Sequence, residues 1–86
     1  MTPAHDIPSH SKAVQRKRLL DALREYNVIT TDDAREYLGI SHPAGRIKEL
    51  RESGHRIVTE MRWTYDHNEY KRRLAHYVYQ GANHAQ

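Results

Sequence analysis

The sequence predicts an α+β domain of three helices and a β-hairpin, and three observations predict it. Apolar residues recur at helical spacing through the first half of the chain, and Gly39-Ile40 punctuates that half. From Arg56 onward the periodicity becomes that of a strand. With 86 residues, the chain suits one compact domain and not two, so its core must be economical and contiguous.

The elements follow in order. Residues 1–11 hold two prolines and little to bury, and are expected to form a flexible arm. Ser11 suits the N-cap of a first helix from Lys12 to about Tyr26, with Val14, Leu19, Leu20, Leu23 and Tyr26 as its apolar stripe. Asn27 tolerates positive φ and ends that helix. Val28-Ile29-Thr30 is short and β-branched, which reads as a brief strand. Thr30 or Thr31 caps a second helix, Asp32 to Leu38, with Asp32 and Asp33 at the positive end of its dipole. That helix is expected to bury Ala34, Tyr37 and Leu38.

Gly39 then serves as a C-cap, Ile40 as the buried turn residue and Ser41 as the N-cap of a third helix. Pro43 sits in that helix's first turn, where a missing N–H costs nothing, and Gly54 stops the helix after about Ser53. Ile57, Thr59, Met61, Trp63 and Tyr65 alternate with Val58, Glu60, Arg62 and Thr64 in a first hairpin strand. Asp66-His67-Asn68-Glu69 is turn-prone, and Lys71-Arg72-Arg73 leads into a return strand from Leu74 to Tyr79. Trp63 has two readings, a core residue covering the helices, which is preferred, or an exposed stacking surface. Tyr77 and Tyr79 share one strand face. The domain spans 12–80, followed by a polar tail at 81–86. Helix, short strand, helix, turn, helix and hairpin is the order of a winged helix-turn-helix, with the hairpin as the wing.

Composition narrows the function. The net charge is +3, and ten of the fourteen basic residues are arginine, a balance that attracts polyanions. Without cysteine there is no disulfide, thiolate nucleophile or Cys-based zinc site. The seven histidines are scattered and show no i, i+4 ligand pair, so no metal site is expected. No nucleophile–base set and no glycine-rich phosphate loop is present, so neither catalysis nor a cofactor is expected. No run is long enough to cross a membrane, and no apolar stretch of signal-peptide type is present, so a cytoplasmic protein is expected.

The turn is the most specific element. Two helices cross steeply over three or four residues only where a glycine permits the bend and an apolar residue plugs it, the roles given to Gly39 and Ile40. Ala34 lets the second helix approach the third, and Ile47 and Leu50, with Ala44 beside them, supply the third helix's inward face. With Ile47 pointing inward, Gly45 and Glu49 point away, flanked by Ser41, His42, Arg46, Lys48 and Glu52. The outward N-terminal half of such a helix enters the major groove of double-stranded DNA. There Arg46 would contact guanine, Glu49 would accept from cytosine, and His42 or Ser41 would reach a base edge or phosphate. Gly45 would allow close approach, and Lys48 and Arg51 would serve phosphates. The alternative is a solvated surface stitched by pairs such as Lys48–Glu52. In the wing, Lys71, Arg72 and Arg73, joined by Arg62, would neutralise the DNA backbone, or simply guard a strand edge. Lys12, Arg16, Lys17 and Arg18 make the start of the first helix basic in the same two senses.

The runs Ile29-Thr30-Thr31, Ala34 and Tyr37-Leu38-Gly39-Ile40 precede Arg46-Ile47-Lys48-Glu49-Leu50-Arg51 and Gly54-His55-Arg56-Ile57-Val58-Thr59-Glu60. With Leu74-Ala75-His76-Tyr77, this pattern resembles the small helix-turn-helix domain proteins of bacteriophages and prophages over roughly residues 15–80. The resemblance implies a winged helix that binds DNA. Met61 to Arg73 departs from it, being longer and more aromatic than a short glycine-containing wing. The reading is therefore a non-enzymatic, phage-type transcriptional regulator on duplex DNA, with a homodimer open. Its rivals are a winged-helix module acting on a host or phage protein, and an excisionase-like architectural DNA-binding factor.

Overall fold

A computed structural model describes residues 11–65 and 68–82. The elements are α1 (Lys12–Tyr26), β1 (Val28–Thr30), α2 (Thr31–Glu36), α3 (Pro43–Glu52), β2 (His55–Tyr65) and β3 (Lys71–Ala82). The three strands form one antiparallel sheet in the order β1-β3-β2. Three helices and this sheet make an α+β winged helix. The arm at 1–10, Asp66, His67 and the last four residues of the tail lie outside the described residues.

Local chemistry accounts for the boundaries. The Ser11 hydroxyl accepts from Val14 N at 3.1 Å to start α1, and Asn27 ends it at φ 69°. A reciprocal capping box starts α2: Thr30 Oγ1 accepts from Asp33 N at 3.0 Å, and Asp33 Oδ2 accepts from Thr30 N at 3.1 Å. The helix is shorter than the expected Asp32–Leu38. Gly39 takes φ 66°, in the left-handed region that favours glycine, and Ile40 N returns to Ala34 O at 3.0 Å. Arg18 Nη1, reaching from α1, donates to Leu38 O at 2.6 Å and so satisfies a carbonyl released at the end of α2.

The core lies between the helices and one sheet face. Leu19, Leu23, Ile40 and Ile47 are essentially inaccessible, and Ala34, Leu50, Ile29, Ile57 and Tyr77 close around them. Burying a side chain of this size contributes ~1.5–3 kcal/mol, so five or six of them dominate the stability of so small a domain.

Four packing expectations are corrected. Tyr37 is 79% exposed, because α2 ends at Glu36 and turns the ring outward. Tyr26, expected in the α1 stripe, is also exposed, because the buried stripe runs through Gln15, Leu19, Ala22 and Leu23 and ends before it. Ala44 is exposed rather than beside Ile47. Trp63 is exposed rather than covering the helices: it stands on β2, the outer strand of the sheet, whereas α2 meets the wing through Arg72 of β3. The indole instead carries the Lys71 ammonium 5.0 Å from a ring centroid. No helix among the described residues is long and apolar enough to cross a membrane.

Candidate nucleic-acid interface

Helix α3 is oriented by its apolar residues. Pro43, Ile47 and Leu50 are buried, which centres the inward face on Pro43 and Leu50 rather than on Ile47. At 100° per residue this rotates the helix by about 50° from the sequence-based orientation. Ser41, His42, Ala44 and Lys48 are exposed, Gly45 is half-buried, and Glu52 shares their side. His42, not Ser41, is the N-cap residue, at φ −132° and ψ 70° with no side-chain capping bond; Pro43 at the first helical position makes this tolerable.

The same rotation corrects the expectation for Arg46. The residue is 6% exposed and lies inside the domain, not on the outward face. Its Nη2 donates to Glu49 Oε2 at 2.9 Å. Its Nε lies 2.9 Å from Glu49 Oε1 at an angle that makes an ion pair rather than a hydrogen bond. From α1, Arg16 Nη1 donates to Glu49 Oε1 at 2.9 Å. Glu49 is thus half-buried between two guanidinium groups. The hydrogen bond from Arg16 holds its carboxyl below the ordinary glutamate value; partial burial opposes this, and the hydrogen bond and charge of Arg46 reinforce it. The first helix and the third are tied through this carboxylate. Sequence reasoning placed Arg16 only in a basic stretch. Its position one residue past the buried Gln15, at the flank of the α1 apolar stripe, was the signal for it.

Gly45 has a local reason to be glycine. A Cβ there would stand 2.5 Å from Cδ2 of the His42 ring. The imidazole lies against the bare first turn of α3, on the outward side. Lys48 Nζ is 3.9 Å from Glu52, a loose exposed pair. Arg51 turns toward the wing, with Nε donating to Ile57 O at 2.8 Å and Nη2 to Thr59 Oγ1 at 2.7 Å. It fastens α3 to β2.

In the wing, Tyr65 pairs with Lys71 and Trp63 with Arg73. The basic run therefore lies inside β3 and not ahead of it, which extends the strand beyond the expected Leu74–Tyr79. Arg62 bonds Glu60 on its own strand. Arg72 bonds Asp32, because α2 begins where β1 ends, beside the first half of β3. Lys71 covers Trp63, and Arg73 and Arg56 are exposed with no ion-pair partner among the described residues. No three ligand-type side chains among the described residues gather into a metal-binding group.

The model of the family described as "Winged helix-turn-helix domain" matches residues 14–80. The chain belongs to that family. The match runs from the first turn of α1 through nearly all of β3, so it takes in the turn at Gly39-Ile40, the whole of α3 and the wing. A winged helix-turn-helix domain suggests DNA binding. No curated protein and no solved structure matches the chain.

Proposed function

We propose that this chain is a double-stranded DNA-binding regulator of the phage type, with α3 in the major groove and the wing on the backbone. The observation that carries the reading is the character of the outward α3 face. Two glutamates in that helix would repel phosphates, but Glu49 is held between Arg16 and Arg46, below its ordinary pKa. What remains outward is Ser41, His42, Ala44, Gly45 and Lys48, with Glu52 alone as an acid at the far end. Small or neutral groups at the start of the helix allow close approach to base edges. Arg56 and Arg73, one on each wing strand, are exposed and suit phosphate contacts, which give affinity without sequence information.

In this reading Arg46 is a positioning residue and not a guanine contact. It fixes Glu49, which fixes Arg16 and hence α1 against α3. Selection from random duplexes followed by sequencing tests the proposal. An enriched motif supports a sequence-reading helix, and no enrichment from any pool contradicts it. Measured bending of the selected duplex distinguishes an architectural factor from a simple regulator.

One observation favours the protein-module reading. Tyr26 and Tyr37 are exposed beside a shallow groove formed with Ala22, Val28 and Leu38, away from α3. Failure of the duplex selection would turn attention to that groove.

A further inference from the structure

The outer strand of the wing has an open edge. β2 pairs only with β3, so one side of an eleven-residue strand meets no other strand. Ordinary strands are about five or six residues long, and edges are usually kept short, bulged or broken by proline. Here the strand has no proline, and its one register irregularity lies at its start, between His55 and Ile57. Arg51 covers the carbonyl of Ile57 at that same end. From Val58 to Tyr65 the edge is regular.

We infer that β2 pairs antiparallel with β2 of a second copy, about a two-fold axis through Met61, joining two wings into one six-stranded sheet. The occupant is argued from charge and from what the pairing covers. In this register Glu60 of each copy stands opposite Arg62 of the other, so two opposite-charge cross-strand pairs form on one face. On the other face Thr59 stands opposite Trp63, and Met61 meets its own copy. Met61 is 48% and Trp63 61% exposed in the single chain, and both are covered by the pairing.

Neighbouring registers fail on one count or the other. Centring on Glu60 or on Arg62 sets that charge against itself, and centring on Thr59 sets Arg56 against Arg62. Centring on Val58 pairs Arg56 with Glu60 but leaves Trp63 outside the paired stretch. Centring on Trp63 packs Met61 against Tyr65 but sets Arg62 opposite Thr64 and leaves Glu60 beyond the paired stretch. Among centres from Val58 to Trp63, only Met61 both matches the charges and packs Met61 and Trp63 within the pairing. Glu60 and Arg62 are bonded within one strand in the single chain, but each remains about half exposed and reachable from the open side.

A two-fold dimer presents two α3 helices and so reads a palindromic site. That consequence rests on the DNA-binding reading; the dimer itself does not, and its test uses no DNA. The test is sedimentation equilibrium of the full chain with E60R, R62E and the double variant E60R/R62E, with far-UV circular dichroism to verify folding. The wild type is expected to dimerise reversibly. Each single variant sets like charges opposite one another and weakens the dimer by at least about tenfold. The double variant exchanges the charges and restores it. An equimolar mixture of E60R and R62E also restores it, as a heterodimer, although neither chain retains its own strand's ion pair. A wild type that stays monomeric overturns the inference. So do single variants that dimerise like the wild type, or a mixture that associates no better than its components.

Discussion

Arg46 is buried, charged and paired with one neighbour, so its removal deletes both an inaccessible side-chain stem and half of an ion pair. Arg46→Ala is expected to cost ~2–3 kcal/mol, read as a loss of roughly 10–20 °C in Tm for a domain of this size. Glu49→Gln keeps the shape but leaves the Arg46 guanidinium without its carboxylate, and is also expected to destabilise. The pH dependence has a definite sign. Glu49 is depressed below its ordinary value of 4.5, so its contribution is fully present above that value and is lost as pH falls through the depressed one. Urea midpoints measured down this acid range should fall, and Glu49→Gln should flatten that part of the profile. Gly45 separates stability from function at a single atom. Gly45→Ala gains helix propensity of up to about 1 kcal/mol but collides with the His42 ring, a side chain free to swing away. Thermal stability should hold or rise while affinity for duplex DNA falls; a parallel fall of both would contradict the placement of His42.

At the scale of elements, caps and the turn hold the helices in place. Thr30→Ala removes the capping box of α2 and should cost ~1 kcal/mol, measured by denaturant unfolding. Ile40→Ala, at the plug of the turn, should cost ~2–5 kcal/mol, whereas Tyr37→Ala three residues earlier should be near neutral, because its ring is in solvent. These elements were largely legible in the sequence, because the signals are local. Ser11, Asn27, Gly39 and Gly54 each demand or permit one backbone geometry. The brief strand and the hairpin were readable from β-branched residues and a period of two. What was not legible depended on tertiary geometry. The rotation of α3 is set by Pro43 and Leu50 together, and a wheel drawn from Ile47 alone puts Arg46 on the wrong side. Trp63 looks like core by composition, but it stands on the outer strand β2 while α2 meets the wing through β3, and no sequence pattern shows which strand is outermost. Lys71-Arg72-Arg73 reads as a turn-proximal charge run, yet pairing extends through it to Tyr65. Arg16 meets Glu49 across 33 residues of sequence, a contact that no spacing announces.

For the whole molecule, charge is arranged more than it is accumulated. A net +3 is modest, but several acids are occupied by internal pairs: Glu49 with Arg16 and Arg46, Asp32 with Arg72, and Glu60 with Arg62. In the DNA-binding reading, Arg56 and Arg73 on the wing, with Lys48 on α3 only loosely held by Glu52, face the anionic partner. Replacing either wing arginine with alanine should weaken binding about equally for all duplex sequences and lower the salt slope by about 1, whereas His42→Ala should alter which sequences are preferred. The measurement that tests the account most directly is fluorescence anisotropy of a labelled duplex, drawn from a random-sequence selection, titrated with the full chain across a salt series. The expected result is binding that weakens steeply and linearly on a log–log plot, with a shallower slope for Arg73→Ala and an unchanged slope but lost sequence preference for His42→Ala. Absence of duplex binding at low salt, or binding indifferent to salt and to both substitutions, would contradict it.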